Sequence, residues 1–489
     1  MRRVVTFFLL VGMLGGFGVL MYARPAPPEL APSADAKAEG ADAKAEAAAS
    51  ESGGADTDAD TDTDGGDEAA APAEKDDEVK VVRVAGLGWE LLAPGVLAND
   101  GLDPGEGSAF TKGGIEAHFA AVADTDAIQR QLARGGGDEK GADIALLPLP
   151  DFVASYERLR GLEPQVFFVI GWSDGRDAVA TERAGGLGKL PVKDDISLQG
   201  RPGSSAALLG LFALELSGVS AERIELTAPA EGKKPMFEAI ERSLREKKRT
   251  TDARDLLVTT ADATSLVPIV AIAPRGYITR HHGLLEQWSR LWLEGTEQLR
   301  ADVPGASRRL ASEKGAPEPV DLLDGLGWIR HAGLRDNAHL AGLAGRGAVT
   351  VDELFHRTWS LWRGVGILST PAPERVPMTN EIIAGVALGG DVTSSAGADG
   401  KRRDKLRPLL VHEVAGDELD EHALVDELGF IAGVFERAEI ELRVRKKAGD
   451  PEALILAATR RFDLADGRLK KGKSPRKGPV ATIEVRVPR

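Results

Sequence analysis

The strongest constraint on this chain is an alternation that runs from Val79 to about Leu388. Short β-branched runs end in glycine or polar turns, and helical stretches lie between them. Val79 to Ala85 is the first run, closed by Gly86-Leu87-Gly88. Ala142 to Leu147 is the second, and Val166 to Ile170, ended by Gly171, is the third. Leu256 to Thr259 is the fourth. Thr125 to Arg134 and Ser204 to Ser217 read as helices between them. Parallel strands need a crossover about as long as a helix, so the alternation predicts an α/β fold with mainly parallel sheets. From Leu284 onward the pattern is helical, and Trp288, Leu291 and Trp292 recur at the spacing of a buried helix face. With 489 residues the chain exceeds one hydrophobic core, so two or three domains are expected.

Open parallel sheets place ligands beyond the carboxyl ends of their strands. The loops in that position are Gly88-Trp89-Glu90, Leu147-Pro148, Gly171-Trp172-Ser173-Asp174 and Thr259-Thr260-Ala261-Asp262. Each of them also reads as an ordinary surface turn. A fifth, Arg201-Pro202-Gly203-Ser204-Ser205, opens a helix. Free backbone N–H groups, two hydroxyls and the helix dipole suit an anion there. A plain serine N-cap is the alternative.

Charge is concentrated near the start. Between Arg24 and Lys80 there are 17 acidic and five basic residues, so −12 of the total −15 lies in that stretch. Residues 24–78 are built mostly from Ala, Asp, Glu, Pro, Gly, Ser and Thr, too few apolar groups to offset ordering entropy, and predict a flexible, self-repelling tether. Before it, Met1-Arg2-Arg3 leads an apolar run from Val4 to Tyr22. The flank and length predict export, with residues 1–23 as an inner-membrane anchor and a cleaved signal peptide as the alternative. The expected location is the periplasm. No basic stripe suggests nucleic acid.

The chain has no cysteine, which excludes disulfides, thiolate metal sites, a cysteine nucleophile and a lipidated N-terminal cysteine. It contains no P-loop, no Rossmann fingerprint with its acidic partner, no His-Glu-x-x-His and no Gly-x-Ser-x-Gly. The His281-His282 pair has no third ligand at a recognisable spacing. No enzymatic activity, cofactor or metal is expected.

Lys112-Gly113-Gly114-Ile115-Glu116-Ala117, Gly141-Ala142-Asp143-Ile144-Ala145 and Leu198 to Ser205 resemble the periplasmic substrate-binding proteins of the nitrate, sulfonate, taurine and thiamine-precursor type. So do the opening strand with Leu91 to Ala98, and Ala332 to Leu340. The resemblance covers about Val79 to Ala387. It implies a type II periplasmic-binding-protein fold, with two α/β lobes and a cleft that closes on a small solute. By loop position it implies Trp89, Trp172, Ser204, Ser205 and Asp262 as ligand-binding residues. It further implies a small organic anion or sulfonate-like solute and an ABC permease as partner.

After a second linker, residues 389–406, a smaller unit follows over 407–489. Leu409 to His412, Ala438 to Val444 and Val480 to Val487 read as strands, with helices over Glu421 to Arg437 and Glu452 to Leu464. This βαβαβ order is similar to an OmpA-like α+β domain. Leu456-Ala457-Ala458-Thr459-Arg460-Arg461 resembles its helix motif, which implies Arg460 as a peptidoglycan contact. The aspartate expected after the second strand is absent, since that strand ends Arg445-Lys446-Lys447. A structural envelope protein tethered to peptidoglycan is the competing expectation.

Overall fold

The structure, a computed structural model, describes residues 80–181, 187, 190, 195–229, 235–242, 256–343, 348–388 and 406–488. The expected anchor, the acidic tether and nearly all of the second linker lie outside the described residues. No helix among those described is long and apolar enough to cross a membrane.

The first lobe is built on β1 (Lys80–Leu87), α1 (Trp89–Asn99), α2 (Ala109–Lys112), β2 (Ile115–Val122), α3 (Thr125–Arg134), β3 (Ile144–Pro148), α4 (Leu149–Leu159) and β4 (Pro164–Ser173). The chain then crosses into the second lobe, formed by β5 (Asp177–Ala180), β6 (Ile196–Gln199), α5 (Ser205–Leu216), β7 (Ile224–Thr227), β8 (Phe237–Glu241) and β9 (Leu256–Thr259). It returns through β10 (Pro268–Pro274) to the first sheet. The helical stretch follows, as α6 (Arg275–Arg280), α7 (His282–Ala301), α8 (Val303–Ala311) and α9 (Pro319–Leu326). It continues with β11 (Ile329–His331), α10 (Leu334–Leu340), α11 (Val351–Gly364) and α12 (Glu381–Leu388). Trp288 and Trp292 of α7 are fully buried and stacked at 5.0 Å, in line with the apolar period of that helix.

The sheets are mixed, which corrects the expectation of mainly parallel pairing. The first sheet has the order β11-β4-β10-β3-β1-β2, and the second β7-β6-β8-β5-β9. In the first, β1 pairs in parallel with β2 and β3, while β10 runs antiparallel between β3 and β4. In the second, β6 is parallel to β7 and β8, while β5 runs antiparallel between β8 and β9. The edge strand β11 is antiparallel to β4 as well. β5 and β10 are the strands that follow a crossing, and the reason for their direction is geometric. A chain that leaves one sheet at its carboxyl edge enters the other sheet from the same gap. Its next strand must therefore run away from the gap, against its neighbours. The register agrees, with Asp177 at the start of β5 opposite Glu241 at the end of β8, and Pro268 at the start of β10 opposite Trp172 near the end of β4. The two sheets thus turn their carboxyl ends toward one another.

The C-terminal module contains β12 (Leu406–Val414), α13 (Glu421–Val434), β13 (Glu439–Val444), α14 (Pro451–Phe462), β14 (Leu469–Lys471) and β15 (Ala481–Pro488). The expected order holds with one addition, the short edge strand β14, which pairs in parallel with β13. The sheet order is β12-β15-β13-β14. Ile440, Leu442 and Val444 point to the core, and the intervening Glu439, Glu441 and Arg443 stay partly exposed, the period of a sheet with one wet face. The module packs directly on the second lobe. Phe212 of α5 meets Phe430 and Phe435, with ring centroids 6.1 and 6.2 Å apart, and His412 Nδ1 lies 3.1 Å from the Leu216 carbonyl oxygen. Arg357 of α11 bonds to Glu427 of α13 and to Glu215 of α5.

Candidate functional site

Three helices begin at the gap between the sheets. α1 and α4 start without a side-chain cap, and each carries an acidic residue in its first turn, Glu90 and Asp151. α5 starts with Ser204 as N-cap, its Oγ accepting from the Ala207 N–H at 3.3 Å. The N-terminal ends of helices carry partial positive charge, so carboxylates are well placed there. Two glycines permit the approach. Gly88 has φ +108°, and a Cβ on it would lie 2.7 Å from the Glu90 carboxylate. Gly203 has φ +82°, and a Cβ there would lie 2.9 Å from Ala154 of the opposite lobe.

Six ionisable side chains from the two lobes and their connection meet in this space. Asp151 from the first lobe accepts from Arg201 at 2.9 Å and from Ser205 Oγ at 3.2 Å, both of the second lobe. Arg201 also reaches Glu241 at 3.0 Å. Arg176, on the segment that crosses between the lobes, lies 3.2 Å from Glu241 and 3.6 Å from Glu90. Asp177, beside it, accepts from Ser173 Oγ at 2.7 Å. Glu90, Asp151, Arg176 and Asp177 are buried, while the Arg201 side chain keeps 45 % of its surface at the mouth.

Burial sets the electrostatics. It pushes Asp177 up to about 7, against the pull of the neighbouring Arg176. It also raises Asp151, although Arg201 works the other way. Burial acts to raise Glu241 too, but Arg176 and Arg201 together outweigh it and hold that carboxyl below its ordinary range. Both guanidinium groups are kept charged, because the carboxylates around them more than offset their desolvation.

The residues expected to bind a ligand divide between the gap and other surroundings. Ser204 and Ser205 lie at the gap. At the start of α5, the Ser205 hydroxyl donates to Asp151 of the opposite lobe. Trp89, the first residue of α1, is buried in the apolar core. Trp172 is buried with the Arg330 guanidinium 4.0 Å over its ring. Asp262 is turned away to the C-terminal module, where Arg407 of β12 reaches it at 3.3 Å, while its own carboxylate accepts from the Thr259 N–H at 2.9 Å. Arg460 is exposed on α14. Sequence reading missed Asp151, Arg176, Arg201 and Glu241 as members of one cluster. The available signal was Ser173-Asp174-Gly175-Arg176-Asp177, adjacent opposite charges in a turn that joins two apolar strands.

Among the described residues no group of three or more His, Cys, Asp or Glu could hold a metal ion. A separate open depression of about 350 Å³ lies at the edge of the first sheet, lined in part by Arg83, Asp103, His118 and Glu139.

The C-terminal module also touches both segments that cross between the lobes. Arg437 bonds to Asp174 at 3.3 Å on the outgoing crossing. On the return crossing, the Ser265 N–H donates to the Val434 carbonyl at 3.2 Å, and Ser265 Oγ donates to Glu436 at 2.5 Å.

No family model matches the chain, and no curated protein matches it. Solved structures do resemble it. A Candida albicans gene product, described as having the generic periplasmic binding protein fold, is 14 % identical with a TM-score of 0.40, over 66 % of this chain and 99 % of that one. The alkanesulfonate-binding protein SsuA from Xanthomonas axonopodis pv. citri, bound to MOPS, is 14 % identical with a TM-score of 0.42, over 60 % and 96 %. The periplasmic nitrate-binding protein NrtA from Synechocystis PCC 6803 is 11 % identical with a TM-score of 0.43, over 64 % and 86 %.

Proposed function

We propose that this protein is a non-enzymatic solute-binding protein of the cell envelope whose two lobes close on a small molecule. The observation that carries this reading is the meeting of buried ionisable groups from both lobes at the carboxyl ends of two sheets. Two chain crossings join those lobes, so a hinge motion opens the gap without unfolding either sheet. Glu90, Asp151, Arg176, Asp177, Arg201 and Glu241 are the binding groups, together with Ser204 and Ser205 at the start of α5. In the closed form these groups hold each other, and a solute takes part in that network when the lobes part.

The binding reading is tested on the full chain. Thermal unfolding is followed with a panel of organic anions, amines, zwitterions and sugars, and each compound that raises Tm is taken to small-angle scattering. Stabilisation by at least one class, with a change in radius of gyration that Arg201→Ala abolishes, is expected. A panel with no stabilising compound overturns the reading.

The expected placement is the periplasmic side of the inner membrane, with an ABC permease as partner. It follows from Arg2-Arg3 and the apolar run, and protease added to spheroplasts should then degrade the chain past residue 78. A second reading makes the C-terminal module a peptidoglycan tether, and the exposed position of Arg460 on α14 favours it. Pull-down on purified peptidoglycan, lost in Arg460→Ala, is its test.

A further inference from the structure

The C-terminal module is held to the rest of the chain by two kinds of contact. Toward the second lobe the contact is apolar and dry. Phe430 and Phe435, both buried, pack on Phe212 of α5, and Arg407 of β12 donates to the Leu257 carbonyl of β9 at 3.0 Å. Toward the crossings the contact is polar and comes from one short stretch, Val434 to Arg437. The Val434 carbonyl accepts from the Ser265 N–H, and the Glu436 carboxylate accepts from Ser265 Oγ. Glu436 also lies 3.8 Å from Arg330 of β11, at the edge of the first sheet, and Arg437 pairs with Asp174 at 3.3 Å. Arg330 itself donates to the Thr264 carbonyl at 3.2 Å, on the return crossing.

The two crossings are also tied to each other. The Ser173 N–H donates to the Val267 carbonyl at 3.0 Å, and the Gly175 N–H donates to Thr260 Oγ1 at 2.9 Å. A hinge motion concentrates its φ/ψ change in such connecting segments. A turn of these segments against the second lobe pulls Ser265 and Asp174 away from a module fixed to that lobe. Resting on the reading of the gap as a solute site, we infer that the C-terminal module is a brace on the hinge, carried by the second lobe, that sets the cost of parting the lobes. Its crossing side is built to release. Glu436 keeps 46 % of its side-chain surface and Arg437 52 %, so water takes over those partners when the bonds break. The apolar side stays in place, and the module opens with its lobe without unfolding.

The chain has no cysteine, so spin labels attach only at introduced thiols. Arg130→Cys on α3 and Glu225→Cys on β7, both exposed, mark the two lobes. Pulsed electron-spin measurement on the full labelled chain, without solute, reads the distance between them. Adding Glu436→Ala with Arg437→Ala should raise the ratio of open to closed forms about tenfold, the worth of the two lost contacts together, and appear as a longer distance component. Arg443→Ala, on the outer face of the same module, should leave the distances unchanged. If circular dichroism shows that the double variant does not fold, Ser265→Ala removes the hydroxyl from the crossing side and carries the same comparison. A distance distribution that the double variant shares with the unaltered labelled chain overturns the brace, and so does an equal shift in Arg443→Ala. A shift confined to the crossing variants, in a chain that no compound of the panel above stabilises, upholds the brace and overturns the solute reading alone.

Discussion

Two regions of the molecule are dense in paired charges, and they differ in what surrounds them. Between the lobes, Arg176 keeps 5 % of its side-chain surface, Glu90 3 % and Asp151 none. On the outer face of the C-terminal sheet, Glu441, Arg443, Glu484 and Arg486 form a cross-strand ladder in which the arginines keep about a third of theirs. Each guanidinium of the ladder bridges two carboxylates across β13 and β15. Water reaches one side of that ladder, screens it and hydrates whatever is left when a partner is removed. Around Glu90, Asp151 and Arg176 there is almost no solvent to take over. The same residue types therefore decorate one surface and decide the energetics of the other.

The sharpest way to break this contrast is to remove one buried charge. Arg176→Met leaves Glu90 and Glu241 without their shared cation and should cost about 3–5 kcal/mol of stability, read from urea unfolding of the full chain. A cost below about 1 kcal/mol would place the cluster in a solvated environment. Removing the carboxylates that lose that cation, with Glu90→Gln and Glu241→Gln on that background, should recover much of the loss.

The next effect is pH-dependent. Asp177 is raised from 3.8 to about 7 in the folded protein, so between those values the folded state holds a proton that the unfolded state has released. Stability therefore falls as pH rises across that window. Asp177→Asn removes the penalty of a buried negative charge. It should raise stability at pH 8 by roughly 1–3 kcal/mol and change it little at pH 4, with the Ser173 bond kept by the amide oxygen. Asp151, also raised by burial, adds a slope of the same sign. The variant should therefore flatten the pH profile without levelling it. An unchanged profile would show that Asp177 is hydrated.

A smaller effect sharpens the comparison at the crossings. Glu436→Ala removes the acceptor of Ser265 Oγ and should cost about 1 kcal/mol. If the C-terminal module braces the hinge, amide hydrogen exchange around residues 264–267 should quicken at the same time. Unchanged exchange there would confine the module to its own fold. The smallest effect belongs to the ladder: Arg443→Ala should shift stability by less than about 1 kcal/mol and lose even that in high salt. A loss comparable with that of Arg176→Met would erase the distinction between the two regions.

Much of the architecture was legible in the sequence because it depends on local pattern. β9 and α3 have the predicted bounds, and Trp288 and Trp292 are core residues as the helical period implied. Ser204 was recognised as the residue that opens α5, and its N-cap bond is there. The direction of β5 and β10 was not legible, since direction depends on where the chain enters a sheet and not on which residues it carries. Asp262 shows the same limit for a side chain. Its loop lies at the end of β9 as predicted, yet its partner Arg407 is 145 residues further along the chain.

The sequence by itself determined several of the strands and helices, because propensity, apolar period and capping act over a few residues. It also determined that charged residues stand in the turns after β4 and β6. Only the tertiary structure decided that Asp151, Arg176, Arg201 and Glu241 share one space between the lobes, and so which charges neutralise one another. Coulomb energy and desolvation depend on distance through space and on access to water. Neither quantity exists for a residue until the two lobes have come together around it.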